Sequence, residues 1–246
     1  MRNDWQRVEV TNKPAMVYDV PDVVRPLGAV VFLHDIDEVM LDRKPSFTGL
    51  LKQYRLACIC PCGDSTWWLD RPWPTFDVQT TAERWLVHDV VPYVQSRWSL
   101  AAGRVGLLGL GMGGQGALRL AFRHPKLFST VVGLDSILDF HDLYHEGTAL
   151  DEMYESKERC RQDTAILQIH PAQFPPHVFF ACDPTNGRWL RGNDRLHEKL
   201  GALGIGHEVD FATSVGGDSW AYAERMAERS VEFLGRGIAE ESRRLL

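Results

Sequence analysis

The chain of 246 residues is 44% hydrophobic and 24% charged, an ordinary globular composition that excludes disordered, collagen-like and coiled-coil architectures. Its net charge of −6 and its lack of a Lys/Arg-rich tract argue against nucleic-acid binding. No apolar run approaches the roughly 18 residues of a membrane helix, and the opening MRNDWQRVEV lacks the apolar core of a secretory signal. Cys58, Cys60 and Cys62 are too crowded for a disulfide framework, which predicts reduced thiols and a cytoplasmic protein.

Apolar segments along the chain predict eight β-strands. The first two flank the turn-forming Thr11-Asn12-Lys13-Pro14, which indicates an antiparallel pair. Most of the others are continuous apolar runs, typical of strands that are covered on both faces of a parallel sheet. The predicted strands span 7–10, 15–20, 29–33, 56–60, 105–108, 131–134, 178–181 and 207–212.

Helical patterns lie between these strands. Thr80-Thr81-Ala82-Glu83 forms a Thr-x-x-Glu capping box, and an apolar stripe repeats every fourth residue from Ala82 to Val94. Further helices are predicted over 118–124, 193–203 and 220–234, the first ended by Pro125 and the second by Gly204. This alternation predicts a single α/β domain over 1–246, with helices on both faces of a mostly parallel sheet and a small insertion near 136–175.

The most specific motif is the glycine-rich segment VGLLGLGMGGQGA, which lies between a predicted strand and a predicted helix. Gly109, Gly111 and Gly114 spell G-x-G-x-x-G and Asp135 ends the next strand, as in a dinucleotide-binding fingerprint. That fingerprint normally opens the first βαβ unit, however, whereas roughly four strands precede it here. The alternative is a nucleophile elbow, G-x-S-x-G, in which Gly111 takes the place of the serine.

The segment GLGMGGQGALRLAFRHP resembles the elbow of the Putative esterase family of α/β-hydrolases, which includes esterase D (S-formylglutathione hydrolase) and the antigen 85 mycolyltransferases. Three further segments are similar to that family: VVFLH at 30–34 to its oxyanion strand, FACDP at 180–184 to its acid strand, and GGDSW at 216–220 to its Gly-Gly-His-x-Trp loop. The residues of the elbow segment that match the family pattern are Met112, Gly113, Gly114, Gly116, Ala117, His124 and Pro125.

The resemblance implies an α/β-hydrolase fold and a catalytic triad in the order nucleophile, acid, base. Gly111 stands at the nucleophile position, Asp183 at the acid position and Asp218 at the base position, so only the acid is kept. The family's Leu-His-Gly oxyanion loop reads Leu-His-Asp-Ile here, with Asp35 and Ile36 after the histidine; Met112 follows the nucleophile position. An Asp35 carboxylate near a developing oxyanion repels it unless the side chain is turned away.

Each residue at a triad position also has a structural interpretation. Asp183 is equally suited to brace the turn before Pro184. Asp218 precedes the last predicted helix, where aspartate is a favoured N-cap, and glycine at position 111 relieves a strained turn. We also expect the free amides at the start of the following helix to hold a small anion, though not a dinucleotide.

Other residues near the predicted ligand end of the sheet are candidates for a pocket. They are His34, Cys62, Trp67, Trp68 and Trp220. For the tryptophans, core packing is an equally good interpretation, and Cys62 is a substitute nucleophile only if a base lies beside it. His141 and His145 have the i, i+4 spacing of metal ligands but lack a third ligand, so a solvated helix face is favoured and no metal is predicted.

These observations favour an esterase-like homologue with a degenerate triad, which does not hydrolyse esters by the usual mechanism and instead binds a small molecule or a protein partner. A working carboxylester hydrolase or acyltransferase with a rebuilt site is the main alternative. A dinucleotide-binding protein that uses Gly109, Gly111 and Gly114 is the third. The leading prediction includes no cofactor, no nucleic acid and no membrane.

Overall fold

The computed structural model describes residues 4–244, so the first three residues of the amino-terminal segment lie outside the described part. Within it, eight strands form one sheet in the order β1-β2-β4-β3-β5-β6-β7-β8. The strands are β1 (Trp5–Val10), β2 (Lys13–Tyr18), β3 (Gly28–Leu33), β4 (Leu56–Pro61), β5 (Val105–Leu110), β6 (Thr130–Leu134), β7 (His177–Ala181) and β8 (Glu208–Asp210).

The strand directions confirm the predicted fold class. Strand β2 is antiparallel to both β1 and β4, and the pairs from β4 through β8 are parallel. Strands β3 to β6 are buried along their whole length, as their continuous apolar sequences predict. Strand β8 is shorter than predicted because the chain turns after Asp210, whose carboxylate accepts hydrogen bonds from the amides of Ala212 (3.0 Å) and Thr213 (2.9 Å).

Helices connect the strands. They are α1 (Pro45–Gln53), α2 (Ala82–Trp85), α3 (Val91–Trp98), α4 (Met112–Arg123), α5 (Phe140–Leu143), α6 (Leu150–Met153), α7 (Lys157–Gln162), α8 (Gly187–Ala202), α9 (Ser219–Arg225) and α10 (Ala227–Arg244), with 3-10 turns at Leu41–Arg43 and Ala165–Gln168. Short helices α5 to α7 and the second of these turns fill the connection between β6 and β7, where the insertion is predicted.

The predicted capping box is only partly right. The N-cap of α2 is Thr81, whose hydroxyl accepts a hydrogen bond from the Arg84 amide at 3.3 Å, whereas Glu83 turns away to a cluster of basic side chains. A π-helical turn, Leu86–Val90, joins α2 to α3 just before Pro92. We attribute this widened turn to Pro92, which has no amide hydrogen and whose ring collides with the carbonyl four residues earlier in a regular helix.

Three predicted helices have different ends in the structure. The helix predicted over 193–203 begins six residues earlier, at Gly187. The helix predicted over 118–124 begins at Met112, because its glycines pack closely against neighbouring strands and thereby override their low helix propensity. The helix predicted over 220–234 is divided at Met226 and runs on to Arg244. The longer second part is stable because its buried face, including Leu234 and Ile238, covers the sheet.

The two glycines of β5 show which helices cover which face of the sheet. A Cβ atom at Gly106 would contact Leu234 and Ile238 of α10, and one at Gly109 would overlap the backbone at Gly113 in α4. These glycines are three residues apart, so they face opposite sides of the strand. Helices α4 and α10 therefore lie on opposite faces of the sheet.

No helix within residues 4–244 is long and apolar enough to cross a membrane.

Candidate functional site

Gly111 forms a sharp turn between β5 and α4. Its φ of 56° and ψ of −115° are a conformation that side chains rarely adopt. Hydrogen bonds fix the turn: the Gly111 amide donates to the Leu134 carbonyl (2.9 Å), and the Gly111 carbonyl accepts from the amides of Gln115 and Ile137 (both 3.1 Å). The structure therefore has the backbone geometry of a nucleophile elbow, with no side chain at its tip.

The Asp35 carboxylate occupies the space above this turn. Leu33 pairs with Gly109 at the end of the β3–β5 ladder, and Asp35 and Gly111 each follow two residues later, at the ends of these neighbouring strands. Asp35 Oδ1 accepts a hydrogen bond from the Met112 amide at 2.8 Å, and a Cβ atom at Gly111 would overlap the carboxylate. The carboxylate is thus turned towards the elbow. It accepts the hydrogen bond of an amide that we expected to hold a small anion.

Burial raises the pKa of Asp35, although hydrogen bonds from the amides of Met112 and Ile36 favour its charged form. Met112 follows the nucleophile position, and the amide of that residue is one of the two oxyanion-hole donors in an α/β-hydrolase. An oxygen atom of the protein itself therefore binds at the place where a substrate oxyanion is stabilised. The Ile36 side chain beside it is 51% exposed.

Asp183, at the acid position, anchors the loop between β8 and α9. Its carboxylate accepts hydrogen bonds from Thr185 (amide 2.9 Å, hydroxyl 2.7 Å), from the Ser214 hydroxyl (2.8 Å) and from the amides of Val215 (2.8 Å) and Gly217 (3.1 Å). Burial by itself raises the pKa of Asp183, but the hydrogen bonds from Val215 and Thr185 lower it below its usual value. The bracing interpretation accounts for these contacts.

Asp218, at the base position, caps a helix. Its exposed carboxylate accepts a hydrogen bond from the Ala221 amide at 2.7 Å, at the N-terminus of α9. This is the N-cap role that the sequence favours. The Asp218 carboxylate is thus directed to α9. The Asp183 carboxylate binds the amide of Gly217, the residue immediately before Asp218.

His34 is fully buried, and both of its ring nitrogens are used. Nδ1 lies 2.7 Å from the Asp35 carbonyl, to which it donates, and Nε2 accepts from the Gly63 amide at 2.9 Å. Burial lowers the pKa of His34, which keeps the ring neutral. The ring fixes the loop that carries Asp35, so neither nitrogen is free to act as a base.

The three candidate tryptophans lie in different environments. Trp67 and Trp68 are buried in the core, and Trp68 donates from Nε1 to the His34 carbonyl at 3.2 Å. Trp220 is half-buried; its Nε1 donates to Asp37 at 2.8 Å and the Lys44 ammonium lies 4.4 Å from its ring centre. Trp220 therefore lines the outer edge of the loops near the elbow, and the other two support them from within.

Cys62 lies in a separate environment, beside a cavity of about 250 Å³ that Glu38 and Met40 also line. Its Sγ atom is 3.8 Å from Glu38 Oε2. Burial and the charge of Glu38 raise the pKa of the Cys62 thiol, which is the reverse of what a cysteine nucleophile requires.

Two further groups that the sequence motifs singled out have structural surroundings. Asp135, the acidic residue of the dinucleotide-binding alternative, accepts hydrogen bonds from the Asp183 amide (2.8 Å) and Asn186 Nδ2 (2.9 Å) and so holds the strand ends together. His141 and His145 do not share a helix, because α5 ends at Leu143. Within residues 4–244, no three His, Cys, Asp or Glu side chains are arranged to bind a metal ion.

A mostly parallel eight-stranded sheet with a strand–elbow–helix turn at its centre defines an α/β-hydrolase. The family model described as Putative esterase matches residues 58–234, and the chain belongs to that family. A comparison with curated protein sequences found no match.

Solved structures with the same fold include two S-formylglutathione hydrolases. The protein from Agrobacterium tumefaciens has 12% identity and a TM-score of 0.78, and the match covers 95% of this chain and 94% of that one. The protein from Staphylococcus aureus has 16% identity and a TM-score of 0.73, with 94% and 99% covered. Mycobacterium tuberculosis MPT51 is similar too, with 14% identity, a TM-score of 0.70, and 94% and 98% covered. At these identities the similarity concerns the fold.

Proposed function

We propose that this chain is a member of the esterase family that does not hydrolyse esters through a Ser-His-Asp triad and instead binds a small molecule or a protein partner. The observation that carries the proposal is the Asp35 carboxylate, which fills the space of the nucleophile side chain and binds the Met112 amide. A carboxylate at that position opposes the negative charge that develops on a substrate carbonyl oxygen.

The absence of both a nucleophile and a base at the positions that resemble the triad supports this proposal. Gly111 has no atom that can attack a carbonyl carbon, and Asp218 is a carboxylate that already caps α9. A serine hydroxyl is a weak nucleophile without an adjacent base. Asp183 is the one triad residue that the family pattern keeps, and its hydrogen bonds go to Thr185 and the loop at 214–217.

The main alternative, a hydrolase with a rebuilt site, needs a nucleophile and a base in contact. The candidates for such a nucleophile are Asp35, in the oxyanion loop, and Cys62, in the loop after β4. The His34 ring, however, donates to a backbone carbonyl and accepts from the Gly63 amide. The thiol of Cys62 faces Glu38, whose charge disfavours a thiolate. These contacts favour a binding protein over a rebuilt enzyme.

The glycine motif supports close packing better than dinucleotide binding. Cβ atoms at Gly109, Gly111 and Gly114 would overlap, in turn, the Gly113 backbone, the Asp35 carboxylate and the Ser136 hydroxyl. No space is left there for a pyrophosphate to approach the backbone.

We also propose a cytoplasmic location, because all five cysteines are free.

Hydrolysis of p-nitrophenyl acetate tests the proposal, with an active S-formylglutathione hydrolase as the positive control. We expect the purified chain to release p-nitrophenol no faster than its Asp35→Asn and Cys62→Ala variants. A kcat of about 1 s⁻¹ or more would contradict the proposal. Loss of such activity in one variant would then identify the rebuilt nucleophile. A separate titration with NAD tests the dinucleotide alternative, which saturable binding at micromolar concentration would support.

A further inference from the structure

A polar cavity of about 340 Å³ lies at the far end of α4 from the elbow. Arg119 and Arg123, on its wall, follow Gly111 by eight and twelve residues in the helix, which places them about 12 and 18 Å further along its axis. All side chains that line this arginine cavity are polar or charged: Asp70, Arg71, Arg119, Arg123, Arg159, Gln162, Asp163 and Gln168. An apolar ligand has nothing to bind there.

The inner wall is a fixed and charge-balanced network. Arg119 is 1% exposed and pairs with both Glu83 and Asp163. Asp163 also accepts from the Tyr154 hydroxyl at 2.7 Å, and Glu83 accepts from Arg123 Nε and from His124 Nε2, each at 2.9 Å. The two carboxylates are therefore already neutralised by neighbouring donors, which reduces their repulsion of an anion in the cavity.

The outer wall carries guanidinium groups with unused donors. The Arg71 guanidinium lies 4.7 Å from the Tyr154 ring centre, and its one ionic contact among the described residues is from Nε to Asp163, at 3.5 Å. Arg123 donates from Nη1 to Gln168 Oε1 (3.1 Å), and its Nη2 makes no hydrogen bond within residues 4–244. In the same part of the chain, the exposed side chain of Arg159 makes no hydrogen bond either. Three guanidinium groups thus present free N–H donors to one cavity.

Asp70 is the remaining acid on the wall, and it is paired outside the cavity. Its Oδ1 accepts from the Thr81 hydroxyl at 2.7 Å and lies 3.0 Å from Arg84 Nε. The cavity is accordingly basic, whereas the whole chain has a net charge of −6. Because the overall charge repels anions, selective binding here requires local recognition by the arginines.

We infer that the arginine cavity binds the phosphate group of a small phosphomonoester. Guanidinium groups match the oxygens of a phosphate with paired, charge-assisted hydrogen bonds. The buried Arg119 network and the stacking of Arg71 on Tyr154 hold part of the wall in place before the ligand arrives. The cavity is also larger than inorganic phosphate requires, which leaves space for the polar group that bears the phosphate.

Titration with inorganic phosphate, followed by calorimetry at constant ionic strength, tests this inference. We expect saturable binding to the wild-type chain, and Arg123→Gln and Arg159→Gln should each weaken it on the order of tenfold. The matched control is Arg225→Gln, which removes an exposed arginine of α9 and should leave binding unchanged. Acetate should bind much more weakly than phosphate, because it offers two fewer oxygens and less charge.

Two results of the titration would overturn the inference. One is the absence of saturable binding below about 10 mM phosphate; the other is an equal loss in Arg225→Gln, which would indicate unspecific attraction. Perturbation of the Nε–H signals of Arg71, Arg123 and Arg159 in nuclear magnetic resonance spectra should accompany binding. Unchanged signals for all three would place the phosphate elsewhere. This test is independent of esterase activity, because the arginine cavity is remote from the elbow.

Discussion

At the residue scale, two substitutions relative to the family pattern fit each other physically. Gly111 removes the side chain at the elbow, and Asp35, which stands where the family has glycine, places a carboxylate in the vacated space. The carboxylate is stabilised by the Met112 amide at the start of a helix, where negative charge is favoured. Either change alone leaves a defect: an unfilled site, or a serine in collision with an aspartate.

This interpretation predicts a coupled effect on stability. Gly111→Ala should lower the free energy of unfolding by about 1–3 kcal/mol from backbone strain, plus the cost of displacing the Asp35 carboxylate. In an Asp35→Gly background the same change should cost less, since only the strain remains. Urea denaturation of the four proteins of this double-mutant cycle measures the coupling, for which we expect about 1 kcal/mol.

The control for this cycle is Gly49→Ala in α1. No atom lies within 4 Å of a Cβ at that exposed position, and the backbone is helical. Alanine there should raise the free energy of unfolding by roughly 0.5–1 kcal/mol. Equal costs of Gly111→Ala with and without Asp35 would show that the two residues do not interact.

At the scale of elements, the sequence predicts the sheet better than the site. The sequence locates all eight strands. Strands β3 to β6 are the easiest to recognise, because burial on both faces imposes a continuous apolar pattern. The elbow can be located from its glycines. The direction of the Asp35 side chain cannot be predicted from the sequence, because it depends on the register of β3 against β5, two strands far apart in the chain. The partners of Glu83 are similarly hidden, since α4 and His124 just after it supply them only after folding.

Glu83 links α2 to α4, and its pairing makes the fold sensitive to acid. Burial by itself raises the pKa of Glu83, but hydrogen bonding to His124 and the charge of Arg119 lower it to about 2. Because the pKa of Glu83 is lower in the folded chain, the unfolded chain binds more protons in acid. The stabilisation that ionised Glu83 gives the fold is therefore complete above the ordinary glutamate pKa near 4 and is lost as pH falls towards 2. Glu83→Gln should cost roughly 3 kcal/mol at neutral pH.

The measurement is the free energy of unfolding of both proteins between pH 7 and pH 3. Stability of the wild-type chain should fall more steeply with acid than that of Glu83→Gln, so that the two curves converge. Glu9→Gln, a change at an exposed glutamate of β1, should give a curve parallel to the wild type. Parallel curves for Glu83→Gln would mean that the native pKa of Glu83 is not depressed.

At the scale of the whole molecule, the fold is shared by chains of very different sequence. Similar structures with about 12 to 16% identity share nearly the full length of the chain, because the sheet and its covering helices depend on apolar patterning rather than on the triad. In this chain, the residues at the positions that resemble the triad and the oxyanion loop make structural contacts. Asp183 holds a loop, Asp218 caps α9 and Asp35 fills the elbow.

Because the scaffold is intact, activity should return only when the nucleophile, the base and the oxyanion site are all rebuilt. The triple variant Asp35→Gly, Gly111→Ser, Asp218→His should hydrolyse p-nitrophenyl acetate at least about tenfold faster than its counterpart with alanine at position 111, since an oriented base then activates the serine. The Asp183 carboxylate already accepts hydrogen bonds from Thr185 and from the loop at 214–217, so recovery of activity should be partial.

The double variant that keeps Asp35 should stay at background activity, because that carboxylate blocks the Met112 amide. Equal activity of the double and triple variants, with both folded by circular dichroism, would show that Asp35 is no obstacle.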